Sequence, residues 1–375
     1  MTRPRLIGSV TPVRIDARTA ELVVLGPSLG TTTQLWQEVA DELAGDVRVL
    51  RFDLPGHGAS PAATGPFSIG DLADAVVDLV DSVGGGAFAY AGISLGGAIG
   101  VELALRYPRR VSSLAVICSA GRIGTPDGWN DRAGRARSSG TASLVATSAE
   151  RWFAPGFLDA VPAPGAAALS LLLDIDDESY ALCCEALGGW DARQRARDIR
   201  IPTLCAAGQF DVAVLAAEVE SLAAVVPGSD YSLIEGVAHL PALERPAAVS
   251  HLLRSRLGGM RTRRAVLGDA HVDRAIADTT PETADFQEFI TRVAWGEVWN
   301  RPGLARRDRS LLTLAALITG GHERELAMHV RAALGNGLSR AEIAEAILHT
   351  AVYAGFPAAN AASGIAKRVF AEQDD

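Results

Sequence analysis

The chain has 375 residues, of which 48% are apolar, and it carries a formal net charge of −9. This length accommodates one large and one small hydrophobic core, so we expect two domains. The acidic balance and the scattered arginines exclude the basic surface typical of nucleic-acid-binding proteins.

No apolar run approaches the roughly 20 residues that span a bilayer. The first residues, MTRPRLIGSVTPVRID, include basic side chains but no apolar core of signal-peptide length, which predicts a soluble, cytoplasmic protein without a membrane partner. The four cysteines show no CxxC spacing and predict neither a metal site nor a disulfide framework. Small molecules are therefore the expected partners, and no cofactor is expected.

The first two-thirds of the chain alternates short strands with helical segments. Residues 68–83 have helical spacing, with Leu72, Val76, Leu79 and Val80 on one face. Strands that alternate with helices predict a mostly parallel sheet with helices on both faces. The predicted strands are ELVVLGPS, VRVLRFD, GAFAYAGIS, VSSLAVICS, IPTLCAAGQ and SDYSLIEG.

A long insertion separates the fourth predicted strand from the fifth. It covers about 122–198, has helical character and contains Trp129, Trp152 and Trp190. Because it is too long for an ordinary connection, we expect it to form a helical cap over the carboxyl edge of the sheet.

The segment GISLGG carries a candidate nucleophile. Its first five residues, 92–96, fit the pattern G-x-S-x-G between an apolar strand and a helix, the context of a nucleophile elbow. There the glycines allow a tight turn that raises the Ser94 hydroxyl above the sheet. The backbone N–H groups of Leu95 and Leu29 are the expected donors to an oxyanion. By itself the pattern is weak, since simple turns also generate it.

An acid and a base follow the serine in chain order. Asp211 comes after one predicted strand and His239 after the next, which is the order Ser, Asp, His of one hydrolase class. His239 is expected to take the serine proton and Asp211 to orient the imidazole. Taken singly, they fit a turn carboxylate and a loop histidine equally well. His57 is the rival histidine, but its Pro-Gly and His-Gly neighbours favour a turn.

Helical patterns replace strands after about residue 264. Ser339 and Glu342 form a capping box, and Gly355 ends the same predicted helix. Ile343, Ile347, Leu348, Ala351 and Val352 are predicted to form its apolar face. The segments RSLLTLAALITGG and ERELAMHVRAALGNG predict two further helices. We therefore divide the chain into a first domain at 1–256, a linker at 257–264 and an all-helical domain at 265–375.

Polar pairs in the helical domain leave two interpretations open. Glu325 and His329 share a helix face at i, i+4 spacing, and His349 and Tyr353 repeat that spacing. The spacing fits a site, and it fits a surface ion pair and a core histidine equally well. No full set of metal ligands accompanies the pairs. Without further information, the domain is equally well explained as an oligomerisation module.

Two resemblances connect these segments to known families. The segments SLGTT, RFDLPGHGAS, GISLGG, GQFD and GVAH resemble the α/β-hydrolase superfamily, and residues 1–256 are most similar to 3-oxoadipate enol-lactonases. The segment GRIGTPDGWNDRA is similar to the lactonase lid and makes Trp129 a candidate for covering the substrate. Residues 265–372, above all HTAVYAGFPAAN, resemble 4-carboxymuconolactone decarboxylases. A redox branch of that fold uses a CxxC pair, and this segment contains no cysteine.

The resemblances imply two consecutive reactions on one chain. The helical domain would decarboxylate 4-carboxymuconolactone, and the first domain would hydrolyse the resulting enol-lactone to 3-oxoadipate. They imply His329 and His349 as candidates for the acid or the hydrogen-bond donor, Glu325 as an orienting residue or proton partner, and a homo-oligomer. Possible carboxylate clamps are Arg306, Arg307 and Arg309. The alternative is a general serine esterase or lactonase whose helical domain only oligomerises it.

Overall fold

The computed structural model describes residues 3–11, 21–45, 47–301 and 303–372. The chain divides into two compact units, residues 1–253 and 254–375. No helix in the described ranges is both long and apolar enough to cross a membrane.

The first unit is built on a seven-stranded sheet. Its strand order is β1-β3-β2-β4-β5-β6-β7, with β1 antiparallel to β3 and each of the other neighbouring pairs parallel. Parallel strands place their carboxyl ends at one edge, where ligands bind in open α/β sheets. The strands are β1 Ile7–Thr11, β2 Leu22–Gly26, β3 Arg48–Asp53, β4 Phe88–Ile93, β5 Val111–Ile117, β6 Thr203–Gly208 and β7 Asp230–Ile234.

The sheet agrees with the sequence in six of its strands, β2 to β7. The strand β1 was not predicted, because it is a half-exposed edge strand without a buried apolar run. The helix α2, Ile69–Ser82, starts at the capping box of Ser68 and Asp71 and buries one apolar face.

The other helices of the first unit cover the sheet or form the cap. The helices α4 to α8 lie between β5 and β6, and α4 packs along α8. The segment predicted as the cap is thus helical, while its bounds at about 122–198 stay a prediction. The remaining helices are α1 Gln37–Leu43, α3 Leu95–Arg106, α4 Pro126–Ser139, α5 Val145–Trp152, α6 Phe157–Ala160, α7 Pro162–Leu171, α8 Asp177–Gly188, α9 Ala216–Val225, α10 Pro241–Glu244 and α11 Pro246–Leu257.

The second unit is helical throughout its regular elements. They are α12 Gly259–Leu267, α13 Asp269–Ala277, α14 Pro281–Phe289, a π-helical segment Ile290–Val298, α15 Arg306–Gly320, α16 Glu323–Gly335, α17 Arg340–Ala354 and α18 Phe356–Ala371. The stretch predicted as a linker, 257–264, overlaps the first turns of α12. The domain boundaries remain a prediction.

Two clusters of buried apolar side chains hold the helical unit together. The larger cluster joins α15 to α18 and includes Ile343, Ile347 and Ala351 of α17. Leu348 and Val352 were predicted on the same apolar face, but they are 63% and 76% exposed. A smaller cluster joins α12, the π-helical segment and α16.

Candidate active site

Ser94 lies on a strained turn between β4 and α3. Its backbone has φ 57° and ψ −116°, a conformation that costs a side-chain-bearing residue free energy. The neighbouring positions must be glycine, because there is no space for a side chain. A Cβ on Gly92 would lie 2.2 Å from the Gly96 carbonyl oxygen, and one on Gly96 would lie 2.4 Å from that of Gly26. The turn is therefore a nucleophile elbow in its geometry as well as in its sequence.

Asp211 and His239 meet at the carboxyl edge of the sheet. The Nδ1 of His239 and the Oδ2 of Asp211 are 2.8 Å apart, and both side chains are buried. The other carboxylate oxygen, Oδ1, accepts the N–H groups of Ala213 and Val214 at 2.8 and 3.0 Å. This carboxylate is fixed on both sides, so it holds the imidazole in one orientation.

The loop after β2 is held next to the elbow. The Gly96 N–H donates to the Pro27 carbonyl oxygen at 3.0 Å. The Gly30 N–H donates to Nε2 of His57 at 3.2 Å, and Nδ1 of His57 lies 2.8 Å from the Pro55 carbonyl oxygen. His57 thus belongs to a turn, as predicted, and it also braces the loop that carries the candidate oxyanion donor Leu29.

Burial keeps the His57 imidazole neutral. The side chain is fully buried, and this desolvation lowers the pKa of His57 to about 4. With Nδ1–H donating to Pro55, the unprotonated Nε2 is the atom that accepts the Gly30 N–H.

A small cavity opens beside the serine. Trp129 lines it and donates its indole N–H to the Ile123 carbonyl oxygen at 2.6 Å. The lining residues are Ser28, Leu29, Ser94, Ile123, Trp129, Arg132, Ser148, Arg151, Trp152, Tyr180, Ala213, Val214 and His239.

Two arginines give this cavity a positive potential. Arg132 donates to the Tyr180 hydroxyl at 2.8 Å and to Ser148 Oγ at 3.3 Å. Arg151 is partly exposed, and desolvation of its inner part, followed by repulsion from Arg132, lowers its pKa. Within the described ranges neither guanidinium forms an ion pair with a carboxylate, so the cavity suits an anionic ligand.

Further contacts hold the loop that carries His239. Glu244 accepts the N–H of Ala238 and the N–H of Ala154, each at 2.7 Å, and so ties the histidine loop to the cap. The backbone oxygen of Trp152 accepts the N–H of His239 at 3.2 Å. These contacts join parts of the chain that are distant in sequence, so no local sequence motif predicts them.

One group of potential metal ligands occurs among the described residues. Its ligand atoms, from Cys118, Asp211 and His239, lie within 4.8 Å of one another. Two of the three are already paired by a hydrogen bond as members of the triad. Burial, and then the charge of Asp211, raise the pKa of the Cys118 thiol far above its usual value. A protonated thiol is a poor metal ligand.

In the helical unit, His329 is half-buried on α16. Its ring stacks on the ring of Trp295 at a centroid distance of 6.5 Å and an interplanar angle of 16°. The pKa of His329 is lowered to about 4, mainly by desolvation and also by His271, while Glu325 opposes the shift. The imidazole is therefore neutral near pH 7.

The other candidate residues of the helical unit are exposed or half-buried. Glu325 is exposed one turn before His329, and His349 is exposed on α17 with its ring 5.4 Å from that of Tyr353. Arg307 pairs with Glu342 and Asp308.

The two neighbouring arginines differ in their contacts. Arg309 donates to the Arg301 carbonyl oxygen at 2.7 Å, and Arg306 is exposed at the start of α15.

Comparisons with known proteins match each unit separately. A family model described as alpha/beta hydrolase fold matches residues 21–139, and the model of the carboxymuconolactone decarboxylase family matches residues 284–368. The first unit is similar to 3-oxoadipate enol-lactonase 2 of Acinetobacter baylyi, with 32% identity over 62% of this chain and 87% of that protein.

A solved structure resembles the first unit, and a second relative resembles the helical unit. The enol-lactonase of Burkholderia xenovorans superposes with a TM-score of 0.65 and 32% identity, over 68% of this chain and 96% of that one. The 4-carboxymuconolactone decarboxylase of Acinetobacter baylyi is 51% identical over 30% of this chain and 84% of its own length. The chain therefore belongs to the α/β hydrolases related to these enol-lactonases through its first unit, and to the carboxymuconolactone decarboxylase family through its second.

Proposed function

We propose that the chain is a bifunctional enzyme of the protocatechuate branch of the 3-oxoadipate pathway. Its helical unit converts 4-carboxymuconolactone to 3-oxoadipate enol-lactone, and its first unit hydrolyses that lactone to 3-oxoadipate. The observation that carries the proposal is the fusion itself. One unit is related to an enol-lactonase and the other to a decarboxylase, and the product of the second reaction type is the substrate of the first.

The hydrolase step follows from the geometry around Ser94. His239 removes the proton of the serine hydroxyl while the oxygen attacks the lactone carbonyl, and Asp211 stabilises the imidazolium. The N–H groups of Leu29 and Leu95 receive the oxyanion. The ring then opens with an enolate as leaving group, which takes up a proton and becomes a ketone. Water releases the acyl group from the serine.

Substrate recognition in this cavity rests on charge and shape. The enol-lactone carries a carboxylate side chain, and Arg132 and Arg151 supply the cations that it requires. Trp129 covers the ring from the cap. This arrangement favours anionic lactones over neutral esters.

The decarboxylation step needs no electron sink other than the substrate. The bond from the γ-carbon to the carboxylate breaks, its electron pair enters a 2-oxyfuran-like dienolate, and carbon dioxide leaves. A proton then adds to the α-carbon. His329, neutral at pH 7, donates a hydrogen bond to the developing oxyanion. His349 and Glu325 are the candidates for the proton transfer.

The proposal also includes arginines that bind the substrate carboxylate and the association of the chain into a homo-oligomer. Arg306, Arg307 and Arg309 are candidates for the clamp. Four apolar side chains at the end of α17 and the start of α18, Leu348, Val352, Tyr353 and Phe356, are between 63% and 79% exposed and support a homo-oligomer. The enzyme works in the cytoplasm.

The test supplies each lactone separately to the purified protein. We expect carbon dioxide release from 4-carboxymuconolactone and ultraviolet loss of enol-lactone. In Ser94→Ala, decarboxylation continues while lactone hydrolysis falls by several orders of magnitude, so enol-lactone accumulates. Hydrolysis of simple esters without carbon dioxide release would favour the esterase alternative.

A further inference from the structure

Arg263 is a buried cation whose charge is not offset in the part of the chain that the structure describes. The residue, on α12, is 6% exposed. Nη1 donates to Thr291 Oγ1 at 3.0 Å and Nη2 to Gln287 Oε1 at 2.8 Å, and both acceptors are neutral. Its Nε has no partner among the described groups. A buried charge without a counter-ion costs free energy. An anionic ligand would offset the charge of this guanidinium.

Trp295 offers a second free donor in the same part of the unit. Its side chain is 5% exposed, and its indole N–H has no partner in the described ranges. Buried indole N–H groups are usually hydrogen-bonded. The ring of Trp295 also has a partner, because it stacks on the ring of His329.

Arg263 and Trp295 lie on elements that pack against each other. Val266 of α12, Trp295 of the π-helical segment and Ala332 of α16 form one buried cluster. Thr291, which holds Arg263, lies one turn before Trp295. π-Helical geometry is rare and frequently marks functional sites.

The electrostatic interactions follow the same arrangement. Desolvation, and then the charges of Arg274 and Arg263, lower the pKa of His271. Desolvation, and then His271, lower the pKa of His329. Arg263 and His329 therefore both lie near His271.

We propose that Arg263 and the indole N–H of Trp295 form a carboxylate-binding subsite beside His329. This proposal rests on the proposed decarboxylase function and names how its substrate is held. The ligand is a small lactone that carries a carboxylate side chain.

The subsite binds the carboxylate that the product retains. An arginine on the leaving carboxylate would stabilise the ground state, since that negative charge moves into the ring in the transition state. The side-chain carboxylate stays charged throughout, so a fixed guanidinium orients the substrate without opposing the reaction. His329 then faces the ring.

Two other arginines of the helical unit are less suited to this role. Arg264 is paired with Asp269 and Asp273, and Arg307 is paired with Asp308 and Glu342. Their charges are already offset. Arg264 is therefore a matched control, adjacent in sequence and on the same helix.

The probe is muconolactone, which has the ring and the acetate side chain but lacks the leaving carboxylate. The full chain carries Ser94→Ala, so that the first unit does not open the lactone. Its six tryptophans are labelled with 5-fluorotryptophan, and the fluorine signal of Trp295 is assigned with Trp295→Phe. We expect that signal to shift with muconolactone and to stay in place with the methyl ester of muconolactone.

Variants of Arg263, Arg264 and Trp295 test whether the subsite binds the carboxylate. Arg263→Gln should abolish the shift and raise the KM for decarboxylation by about 10- to 100-fold, the effect of one charged hydrogen-bonding group. Arg263→Lys should lie between it and the parent protein, and Arg264→Gln should behave as the parent. Trp295→Phe keeps the stacking on His329 and should raise KM by a smaller factor, so it tests the proposal even if Arg263→Gln does not fold.

Two outcomes distinguish the possible failures. If the parent protein releases carbon dioxide and folded Arg263 and Trp295 variants keep the parent KM, the subsite is wrong and the decarboxylase function stands. If the Trp295 signal shifts in an Arg263-dependent way but no carbon dioxide is released, the subsite stands and the assigned reaction is wrong.

Discussion

Arg151 contributes a positive charge near Ser94 without being needed for the fold of the cap. No hydrogen bond or ion pair of its guanidinium is found in the described ranges, whereas Arg132 is held by Tyr180 and Ser148. A charge that is not used for folding is available for the ligand. We therefore expect Arg151 to contribute to the binding of an anionic lactone.

Arg151→Gln is expected to raise the KM for enol-lactone by about tenfold, because the variant loses one charge-assisted hydrogen bond. The kcat should change little, since the triad is untouched. Steady-state kinetics with enol-lactone and with a neutral ester of similar size provide the measurement. Only the anionic substrate should be affected.

Arg135→Gln is the matched control, because Arg135 is exposed on the same cap and does not line the cavity. Equal KM changes in the two variants would show that the charge of the cap as a whole, and not Arg151, selects the substrate.

The site residues differ in how well sequence alone predicts them. Ser94 lies in a local motif, and Asp211 and His239 each follow a strand, so local signals indicated all three. Arg132 and Arg151 lie on cap helices, and the elements that carry Arg263 and Trp295 meet only through tertiary packing. Such contacts depend on how distant elements pack, which leaves no pattern in a short stretch of sequence.

At the scale of elements, the turn after β3 supports the loop after β2. His57 accepts the Gly30 N–H, and its ring stacks on Tyr180 at a centroid distance of 6.2 Å. The position of the Leu29 N–H thus depends on an acceptor that comes from another loop. Protonation of Nε2 would remove this acceptor.

His57→Phe keeps an aromatic ring against Tyr180 and removes both ring nitrogens. The Gly30 N–H loses its partner, so we expect kcat for enol-lactone to fall by about tenfold or more while KM changes little. Circular dichroism verifies the fold. His251→Gln, at an exposed histidine, is the control, and an unchanged kcat in His57→Phe would contradict the bracing role.

The same variant tests a pH effect on stability. The pKa of His57 is about 4 in the folded chain against an ordinary value of 6.5, so the unfolded chain binds the proton more readily. The stability contributed by neutral His57 is complete above pH 6.5 and is lost as the pH falls towards 4. Thermal unfolding between pH 7 and 4 should therefore show a steeper decline for the parent than for His57→Phe.

Regular elements were predicted better than their surroundings. Buried parallel strands are continuous apolar runs, and the helices of the second unit have capping residues and glycine stops, so both leave strong local signals. The edge strand β1 and the exposure of Leu348 and Val352 were missed. Sequence periodicity identifies an apolar helix face, but it does not say whether that face is covered within the same chain.

At the scale of the whole molecule, each catalytic unit has its own core. All seven strands of the sheet and the candidate residues Ser94, Asp211 and His239 precede the division at residue 253. A domain with a complete core can fold alone.

A chain that ends at Arg256 is therefore expected to hydrolyse enol-lactone with a kcat within about threefold of the parent value, because every residue of that site is retained. It should release no carbon dioxide from 4-carboxymuconolactone. Circular dichroism and the two assays check this. A folded but inactive product would mean that the second unit completes the first site.

The backbone of Ser94 has a consequence for any attempt to improve this protein by heat selection. A positive φ with a side chain stores roughly 1–3 kcal/mol of strain, which glycine would release. Ser94→Gly should therefore melt several degrees higher than Ser94→Ala, which keeps a Cβ on the same turn. Calorimetry of the two variants measures the difference, and equal melting temperatures would show that the turn is unstrained. A library screened for thermal resistance alone would enrich a glycine at this position, so it would favour catalysts that have lost their nucleophile.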